Sequence, residues 1–459
     1  MEFEEEVMEP VSPLGQYCNS SVLSISVLVI LEMGIPIDDS QTMSLLRDVF
    51  LPIHPRFSSI MVNTNGKKQW KKVEVKLEDH VNVPIFPSGL SLESYDRYFN
   101  DYLSKIAMER FPQNRPLWEL HIIKYPNTNA AGNVVFKLHQ SLGDGYSLMG
   151  ALLSCLQRAD NPSLSLTFPS RKRSKMQSDK EKSLFSFVPQ IFSSAFNTLS
   201  DFGRSILKSN LFEDDQTPIR SGDDRVEFLP ITITTVAFSL DKLKLIKSKL
   251  GVTINDVISG IIFLGTRLYM QEINHESIKS ESTALVVLNT RMRGGDYKSV
   301  KEMLNPETKM PWGNRFSFLH VEIPTLSEFT NPIDFVTHAH RLIKKKRSSY
   351  AVYLNGLLLE LLQVAARYVT KTLRSSSMTI SNMIGPVEEM SLANHPITGF
   401  YFVGAGLPED LGITIVSYMG KLRVAFRMAK GHIDSHKLKS CVENAFETIF
   451  EASNKLPSY

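Results

Sequence analysis

The sequence alternates strand-like and helix-like stretches in two halves, which a polar segment at residues 163–224 separates. Apolar patterns with the two-residue period of a strand and the 3.6-residue period of a helix follow one another on both sides of that segment. At 459 residues the chain is longer than one hydrophobic core usually supports. We therefore expect an α/β (α+β) fold with an N-terminal domain over residues 1–162, a crossover linker over 163–225 and a C-terminal domain over 226–459.

The periodicity also predicts where the individual elements lie. In the first half, strands are predicted at 22–31, 70–77, 118–124 and 133–139, and helices at 38–50 and 92–110. In the second half, strands are predicted at 226–240, 284–290, 316–323, 377–383, 397–403, 411–418 and 421–428. Helices are predicted there at 254–269, 331–366 and 433–452. Each half thus mixes strands with helices, as two sheets covered by helices would require.

The linker contains a basic run at residues 171–175 and then an amphipathic pattern at 184–207. Apolar residues recur there every three or four positions, which predicts a helix whose first turn Pro189 limits. One interpretation is docking on a membrane surface, where cations meet anionic head groups and phenylalanines enter the interface. The other is a helix that packs its apolar face on the protein.

Composition excludes several classes of function. The net charge of +3 gives no electrostatic case for binding nucleic acid. Three isolated cysteines form no metal-ligand spacing and are typical of buried thiols in a reducing compartment. The acidic N terminus is unlike a secretory signal, and the apolar run at 22–31 is shorter than a bilayer requires. We expect a chain that faces the cytosol.

Residues 138–145, LHQSLGDG, predict a strand end, a tight turn and a helix start. Asp144 occupies the N-cap position, where its carboxylate can accept hydrogen bonds from the first free amides of the helix. Such a loop can hold polar side chains in a cleft. It can equally be a capped turn without chemistry, and the loop alone does not separate these interpretations.

Six further motifs distinguish these two interpretations, because they match one protein family and occur in the order of that family. They are EPVSP at 9–13, PLWE at 116–119, ND at 255–256, NTR at 289–291, WGN at 312–314 and SNMIGP at 381–386. With residues 138–145, which match a His-His-x-x-x-Asp-Gly signature except at Gln140, the set resembles the plant wax ester synthase/diacylglycerol acyltransferases. That family lies within the CoA-dependent acyltransferase superfamily, and the resemblance covers essentially the whole chain.

The resemblance implies transfer of a fatty acyl group from acyl-CoA to a long-chain alcohol or to diacylglycerol, without a cofactor or a metal. It implies two similar domains with a tunnel between them, and a place at the cytosolic face of the endoplasmic reticulum membrane or at the plasma membrane. The loop residues that it assigns to catalysis are His139, Gln140, Asp144 and Gly145. Those that it assigns to substrate binding or loop support are Pro116, Leu117, Trp118, Asn255, Asp256, Asn289, Arg291, Trp312, Asn314, Ser381 and Asn382.

Among these, the resemblance implies that Asp144 forms a salt bridge that holds the loop, and Arg291 is the candidate partner. The asparagine and tryptophan side chains of the later motifs, or backbone amides, would stabilise the developing oxyanion. For Asn255, Asp256 and Asn382 the alternative is helix capping or turn formation.

The departure at Gln140 lies where the family has its proton acceptor. A neutral imidazole can take the proton of a hydroxyl, but a glutamine amide can only hydrogen-bond to it. General-base catalysis contributes roughly 10²- to 10⁴-fold, so the sequence predicts a slow acyltransferase or a non-catalytic protein that binds acyl-CoA or lipid. His139 would act as the base only after a backbone shift, because adjacent strand residues face opposite sides.

Overall fold

The computed structural model describes residues 9–169, 213–291, 312–347 and 364–456. The strands are β1 Glu9–Pro10, β2 Ser26–Met33, β3 Ser59–Thr64, β4 Lys67–Lys72, β5 Val81–Asn82, β6 Trp118–Ile123, β7 Gly132–His139, β8 Gln157–Arg158, β9 Ile231–Ser239, β10 Thr283–Asn289, β11 Phe316–Glu322, β12 Met378–Met383, β13 Met390–Leu392, β14 His395–Ala405, β15 Leu411–Tyr418 and β16 Lys421–Ala429. The longer helices are α1 Pro13–Cys18, α2 Leu92–Met108, α3 Gly145–Ser154, α4 Leu240–Leu250, α5 Ile254–Ile273, α6 Ile333–Arg347, α7 Val364–Ser375 and α8 Ser435–Asn454. Short helical turns occupy Thr42–Leu45, Leu46–Phe50, Leu51–Ile53, Pro55–Ser58, Leu77–Asp79, Val226–Phe228 and His275–Lys279.

A seven-stranded sheet in the order β5-β6-β7-β2-β14-β13-β8 holds the loop at residues 138–145. Its central strands β2 and β7 are almost completely buried, as strands covered on both faces are. Strands β13 and β14 come from the C-terminal part of the chain, and β14 pairs with β2 through Phe400 opposite Leu31. The first sheet is therefore complete only with residues from beyond the linker.

A six-stranded sheet in the order β11-β10-β12-β15-β16-β9 forms the other half. Helix α5 lies against it, and α6 and α8 pack on α5. Strands β10, β12 and β15 run parallel, so their carboxyl ends meet at one edge. Since crevices beyond the carboxyl ends of parallel strands are common ligand sites, this edge is a natural place for a functional site. A small third sheet, β1-β4-β3, packs beside the first.

An ion pair joins the two large sheets. Arg423 of β16 donates to the buried carboxylate of Glu32 on β2. Thr414 of β15 donates from its hydroxyl to the carbonyl of Phe402 on β14. A Cβ at Gly399 would lie 2.2 Å from Glu32 Oε2, so the absent side chain there leaves room for the pair.

Most predicted elements are present, with shifted ends. The predicted helix at 92–110 is α2, and the predicted strand at 133–139 is β7. The predicted strand over 226–240 starts too early, because Val226–Phe228 form a helical turn and β9 starts at Ile231, whereas its predicted end lies one residue beyond the end of β9 at Ser239. The amphipathic pattern at 184–207 lies outside the described residues. The domain boundaries and the tunnel stay predictions.

Cys18, Cys155 and Cys441 are unpaired and buried, as predicted. Burial raises the pKa of Cys18 and of Cys155 to about 12 and that of Cys441 to about 11, so these thiols stay protonated. Within the four described ranges, no single helix is long and apolar enough to cross a membrane. Helices α4 and α5 meet this test of length and composition only as a pair, bent by 101°.

Candidate active site

Backbone pairing fixes the loop at residues 138–145 against the first sheet. His139 N–H donates to the carbonyl of Leu117 at 3.0 Å, and Gln140 N–H donates to that of Ile25 at 2.9 Å. Helix α3 then begins at Gly145, and Asp144 caps it by accepting from Ser147 N–H at 3.0 Å. The strand, turn and capped helix predicted for this segment are confirmed.

The carboxylate of Asp144 binds the guanidinium of Arg291 through two hydrogen bonds, of 2.6 and 2.9 Å. Both side chains are almost completely buried, so the pair is shielded from water. Arg291 follows the end of β10, and its guanidinium also donates to Asn289 Oδ1 and to the Gly313 carbonyl. The predicted pair is present, and Asn289 helps to position Arg291. This bidentate contact ties the loop of the first sheet to the second sheet.

Trp312 closes over the turn of the loop. Its indole N–H donates to the carbonyl of Leu142 at 2.6 Å, and its ring stacks on His54 at 4.3 Å. Gly143 lies beneath it, and a Cβ at that position would be 3.2 Å from the indole nitrogen. Since the single N–H of Trp312 is used on the loop backbone, this side chain supports the loop and is not directed at an oxyanion.

Asn314 and Gln140 bind each other reciprocally. Asn314 Nδ2 donates to the backbone carbonyl of Gln140 at 3.0 Å, and Gln140 Nε2 donates to Asn314 Oδ1 at 3.0 Å. Gln140 is half-buried, whereas Asn314 is 5% exposed. Asn314 lies just before β11 of the second sheet, so residue 140 is located where the two halves of the molecule meet.

His139 points away from this meeting point and is completely buried. Its Nδ1 accepts from Ser141 N–H at 3.1 Å, so the neutral ring carries its proton on Nε2, which lies 3.4 Å from Ser24 Oγ. Burial, and then the charge of Lys137, lower the pKa of His139 to about 3, although a hydrogen bond to the Cys18 backbone opposes the shift. The proton on Nε2 and the low pKa both argue against a role as general base.

The residues at 116–118 support the loop from β6, the strand next to β7 in the sheet. Trp118 is completely buried, donates from its indole N–H to the Phe57 carbonyl at 2.8 Å and stacks on His80. Leu117 supplies the carbonyl that receives His139 N–H, and Pro116 precedes β6 in a buried turn. These three residues therefore lie beside the end of β7 and contribute core packing.

A second polar group lies at the carboxyl edge of the second sheet. Asn382 at the end of β12 donates to the side chain of Asn255 at the start of α5. Asp256 is buried, forms a capping box with Thr253 and accepts from His340 Nδ1 at 2.8 Å. Ser381, half-buried beside Asn382, completes this edge. The capping interpretation of Asp256 is confirmed, and Asn255 and Asn382 pair with each other.

Sequence reasoning missed several contributors to the site. Ser147 accepts from Arg291 at 2.9 Å and from Gly313 N–H at 3.2 Å, and Arg315 N–H donates to Asp144 at 2.9 Å. His340, which donates to Asp256, lies in none of the sequence motifs. The serine lies one helical turn after Asp144, a spacing that could have indicated it. No local signal marks His340, because its partner is 84 positions away.

Two family models match the chain. A wax ester synthase/diacylglycerol acyltransferase catalytic domain matches residues 44–258, and the C-terminal domain of the same family matches residues 312–450. The chain belongs to the wax ester synthase/diacylglycerol acyltransferase family. The resemblance predicted from the seven motifs is thereby confirmed.

Full-length relatives agree with this assignment. The chain is 28% identical to wax ester synthase/diacylglycerol acyltransferase 4 of Arabidopsis thaliana, over 99% of this chain and 92% of the relative. It is 29% identical to the Arabidopsis enzyme numbered 11, over 94% of this chain and 92% of the relative. The names of these relatives describe enzymes that synthesise wax esters and transfer acyl groups to diacylglycerol.

Solved structures confirm the predicted fold class. The wax ester synthase/diacylglycerol acyltransferase from Marinobacter aquaeolei VT8 matches with a TM-score of 0.61 at 15% identity, over 97% of this chain and 100% of that one. A nonribosomal peptide synthetase cyclization-docking bidomain from Sorangium cellulosum matches with a TM-score of 0.61 at 13% identity, over 98% of this chain and 85% of that one. At these identities the likeness concerns the two-domain fold.

Proposed function

We propose that this family member transfers a fatty acyl group from acyl-CoA to the hydroxyl of a long-chain alcohol, giving a wax ester, or of diacylglycerol, giving triacylglycerol. The observation that carries the proposal is the buried Asp144–Arg291 pair, which holds the signature loop at the junction of the two sheets. Asn314 fixes Gln140 on the same loop. These contacts hold the loop in one defined conformation where the two sheets meet.

The transfer needs no covalent enzyme intermediate. The alcohol oxygen bonds to the thioester carbon, the carbon–sulfur bond breaks, and the alcohol proton leaves to solvent while the CoA thiolate gains one. Gln140 can accept a hydrogen bond from the alcohol and orient it, but it cannot hold the proton. Catalysis would then rest on positioning and on oxyanion stabilisation, which give part of an acyltransferase's rate enhancement.

We also propose that the reaction takes place at a membrane surface on the cytosolic side of the endoplasmic reticulum. Long-chain alcohols, diacylglycerol and acyl chains partition into lipid, so the enzyme must meet them there. The basic run at 171–175 and the amphipathic pattern at 184–207 support this proposal from the sequence.

The catalytic proposal is tested with purified full-length protein, labelled palmitoyl-CoA and either hexadecanol or diacylglycerol. We expect slow formation of labelled ester above the protein-free rate. His139→Ala should keep part of that activity, whereas Gln140→His should exceed the wild type. Loss of all transfer in His139→Ala, with folding intact by circular dichroism, would instead identify His139 as the base.

The membrane proposal is tested by flotation with liposomes that contain anionic lipid. The double variant Phe192→Asp, Phe196→Asp should float less than the wild type, because it places charges in the apolar face of the predicted helix. Phe228→Asp, at an exposed phenylalanine outside that helix, is the matched control and should float like the wild type. Equal flotation of all three proteins would contradict the proposal.

A further inference from the structure

Positive charge is concentrated in the hairpin of β3 and β4 and the residues just after it, here called the basic hairpin, residues 59–76. This segment contains five lysines and one glutamate, a net charge of +4, whereas the whole chain carries +3. The rest of the chain is therefore slightly negative, so the basic hairpin is a local feature of the surface and not a sample of its average charge.

The fold holds the lysines of β4 in defined positions. Asn65 and Gly66 form the two-residue turn between the strands, with φ angles of 53° and 79°, as a type I′ turn requires. Trp70 is 3% exposed and packs in the core of the first sheet. Because successive side chains of a strand point to opposite faces, Lys67 and Lys71 face outward.

The outward face of the basic hairpin is apolar at its centre. Ile60 of β3 lies opposite Lys71, and Val62 lies opposite Gln69. Both apolar side chains are half-buried, and neither belongs to a hydrophobic core of the described residues. Lys67 and Lys71 are exposed on either side of them. Cationic and apolar side chains thus alternate on one accessible surface.

The charges of this surface are not neutralised within the protein. Elsewhere on the first half, exposed lysines have carboxylate partners, as Lys124 has in Asp39 at 2.7 Å. In the part of the chain that the structure describes, four lysines of the basic hairpin form no ion pair: Lys67, Lys68, Lys71 and Lys72. Their positive charge is therefore available to an anionic partner.

We propose that the outward face of the basic hairpin binds the surface of a lipid bilayer that contains anionic lipids. Such a bilayer offers anionic head groups to the lysines and an apolar interface to the side chains between them. This role depends on the proposed membrane location and names a surface for it that is separate from residues 171–207.

The basic hairpin is also joined to the signature loop. Arg56, three residues before β3, donates from Nη1 to the carbonyl of Leu142 at 3.1 Å and pairs with Glu9 of β1. Strand β1 pairs with β4 in the small sheet. Docking through the basic hairpin would therefore hold the loop close to the bilayer in which long-chain substrates dissolve.

Flotation of full-length protein with vesicles tests this surface. The vesicles contain phosphatidylcholine alone or mixed with phosphatidylserine, and the lipid concentration is varied to obtain a partition coefficient. A lysine near an anionic surface contributes roughly fivefold to binding. The triple variant Lys67→Gln, Lys71→Gln, Lys72→Gln should therefore bind the mixed vesicles roughly 100-fold more weakly than the wild type.

The matched control removes the same charge from scattered positions. Lys247, Lys279 and Lys421 are exposed residues of the second half, and each lies on a different element. The triple variant Lys247→Gln, Lys279→Gln, Lys421→Gln should bind mixed vesicles like the wild type. Circular dichroism verifies that both triple variants are folded.

A second measurement uses the wild type alone, in case the hairpin variant folds poorly. Lysines are acetylated briefly with and without mixed vesicles, and mass spectrometry quantifies the label on each. Lys67, Lys71 and Lys72 should be labelled less when vesicles are present, because a docked surface is shielded from the reagent. Labelling of the three control lysines should not change.

The outcomes separate this surface from the membrane location on which it depends. Wild-type binding by the hairpin variant, with no protection of its lysines in the wild type, would overturn the role of the hairpin and leave the membrane location standing. No binding of the wild type to either kind of vesicle would overturn both. Weaker binding of palmitoyl-CoA by the hairpin variant, with unchanged vesicle binding, would instead assign the lysines to the phosphates of CoA. Weaker vesicle binding of the hairpin variant alone, together with protection, supports both.

Discussion

At the scale of single residues, the buried pair of Asp144 and Arg291 decides the stability of the signature loop. Removing one partner of a buried ion pair leaves a charge without compensation, which costs much more than the net worth of the pair. Without Arg291, the charge left uncompensated is the carboxylate of Asp144. Its remaining hydrogen bonds come from the backbone amides of Ser147 and Arg315, which carry no charge.

We expect Arg291→Met to lower the free energy of unfolding by about 3 to 5 kcal/mol, measured by urea denaturation. The double variant Asp144→Asn, Arg291→Met should recover part of this loss, because no buried charge is left unpaired. Lys244→Met, which removes the exposed ion pair to Asp241, is the control and should change stability by less than about 1 kcal/mol. Equal losses at the two sites would contradict the burial argument.

The burial of His139 predicts a dependence of stability on pH. In the unfolded chain the histidine pKa is about 6.5, whereas in the folded protein it is about 3. The unfolded state therefore binds the proton first, so this contribution to stability is complete above about pH 6.5 and is lost as the pH falls toward 3.

His139→Phe removes this titration. Between pH 7 and pH 5.5 the variant should lose about 1 kcal/mol less stability than the wild type, measured by urea denaturation at each pH. Between pH 7.5 and pH 8.5 the stability difference between the two proteins should be constant. A parallel loss in both proteins below pH 6.5 would show that His139 is protonated within the fold.

At the scale of elements, the start of α5 combines a helix cap with a tie to α6. Asp256 accepts from the backbone amide and hydroxyl of Thr253 and from His340. The start of α4 has only a single, longer cap contact, of 3.4 Å from Lys242 N–H to Ser239 Oγ. The two helices thus offer a strong and a weak cap in one molecule.

Asp256→Ala should lower the melting temperature more than Ser239→Ala, with a loss of about 2 kcal/mol or more against about 0.5 to 1 kcal/mol. Circular dichroism during heating measures both variants. His340→Ala should fall between them, because it removes the contact to α6 but keeps the capping box. Equal melting temperatures for the two cap variants would mean that the tie to α6 adds nothing.

The sequence predicted those features of the fold and of the site that depend on neighbouring residues. Helix α2 and strand β7 were predicted within two residues of their ends, because their apolar periods are regular. Helix α4 was missed, because only Leu243 and Ile246 of its eleven residues are buried and its lysines obscure the period. The Gln140–Asn314 contact spans 174 positions, a separation that no local pattern encodes.

At the scale of the whole molecule, β14 makes the two halves interdependent. It pairs with β2 of the first sheet, although the chain on either side of β13 and β14 belongs to the second sheet. Unfolding of the second half would withdraw β13 and β14 and leave β2 with an unpaired edge. The ion pair between Arg423 and Glu32 adds a further link.

Calorimetry should therefore show one cooperative unfolding transition, with equal calorimetric and van't Hoff enthalpies. Arg423→Met should shift this transition to lower temperature without splitting it, because β13 and β14 still belong to the first sheet. Two resolved transitions in the wild type would show that the two halves unfold independently although β14 pairs with β2.

The position of β13 and β14 in the first sheet also has a consequence for biosynthesis. During translation the N-terminal half leaves the ribosome long before residues 390–405 have been synthesised. Until then, the backbone groups of β2 that will pair with β14 have no hydrogen-bond partner. Nascent chains in this state are prone to wrong strand pairing and aggregation. Production of this protein should therefore depend on chaperones that bind the growing chain until nearly all of it has been synthesised.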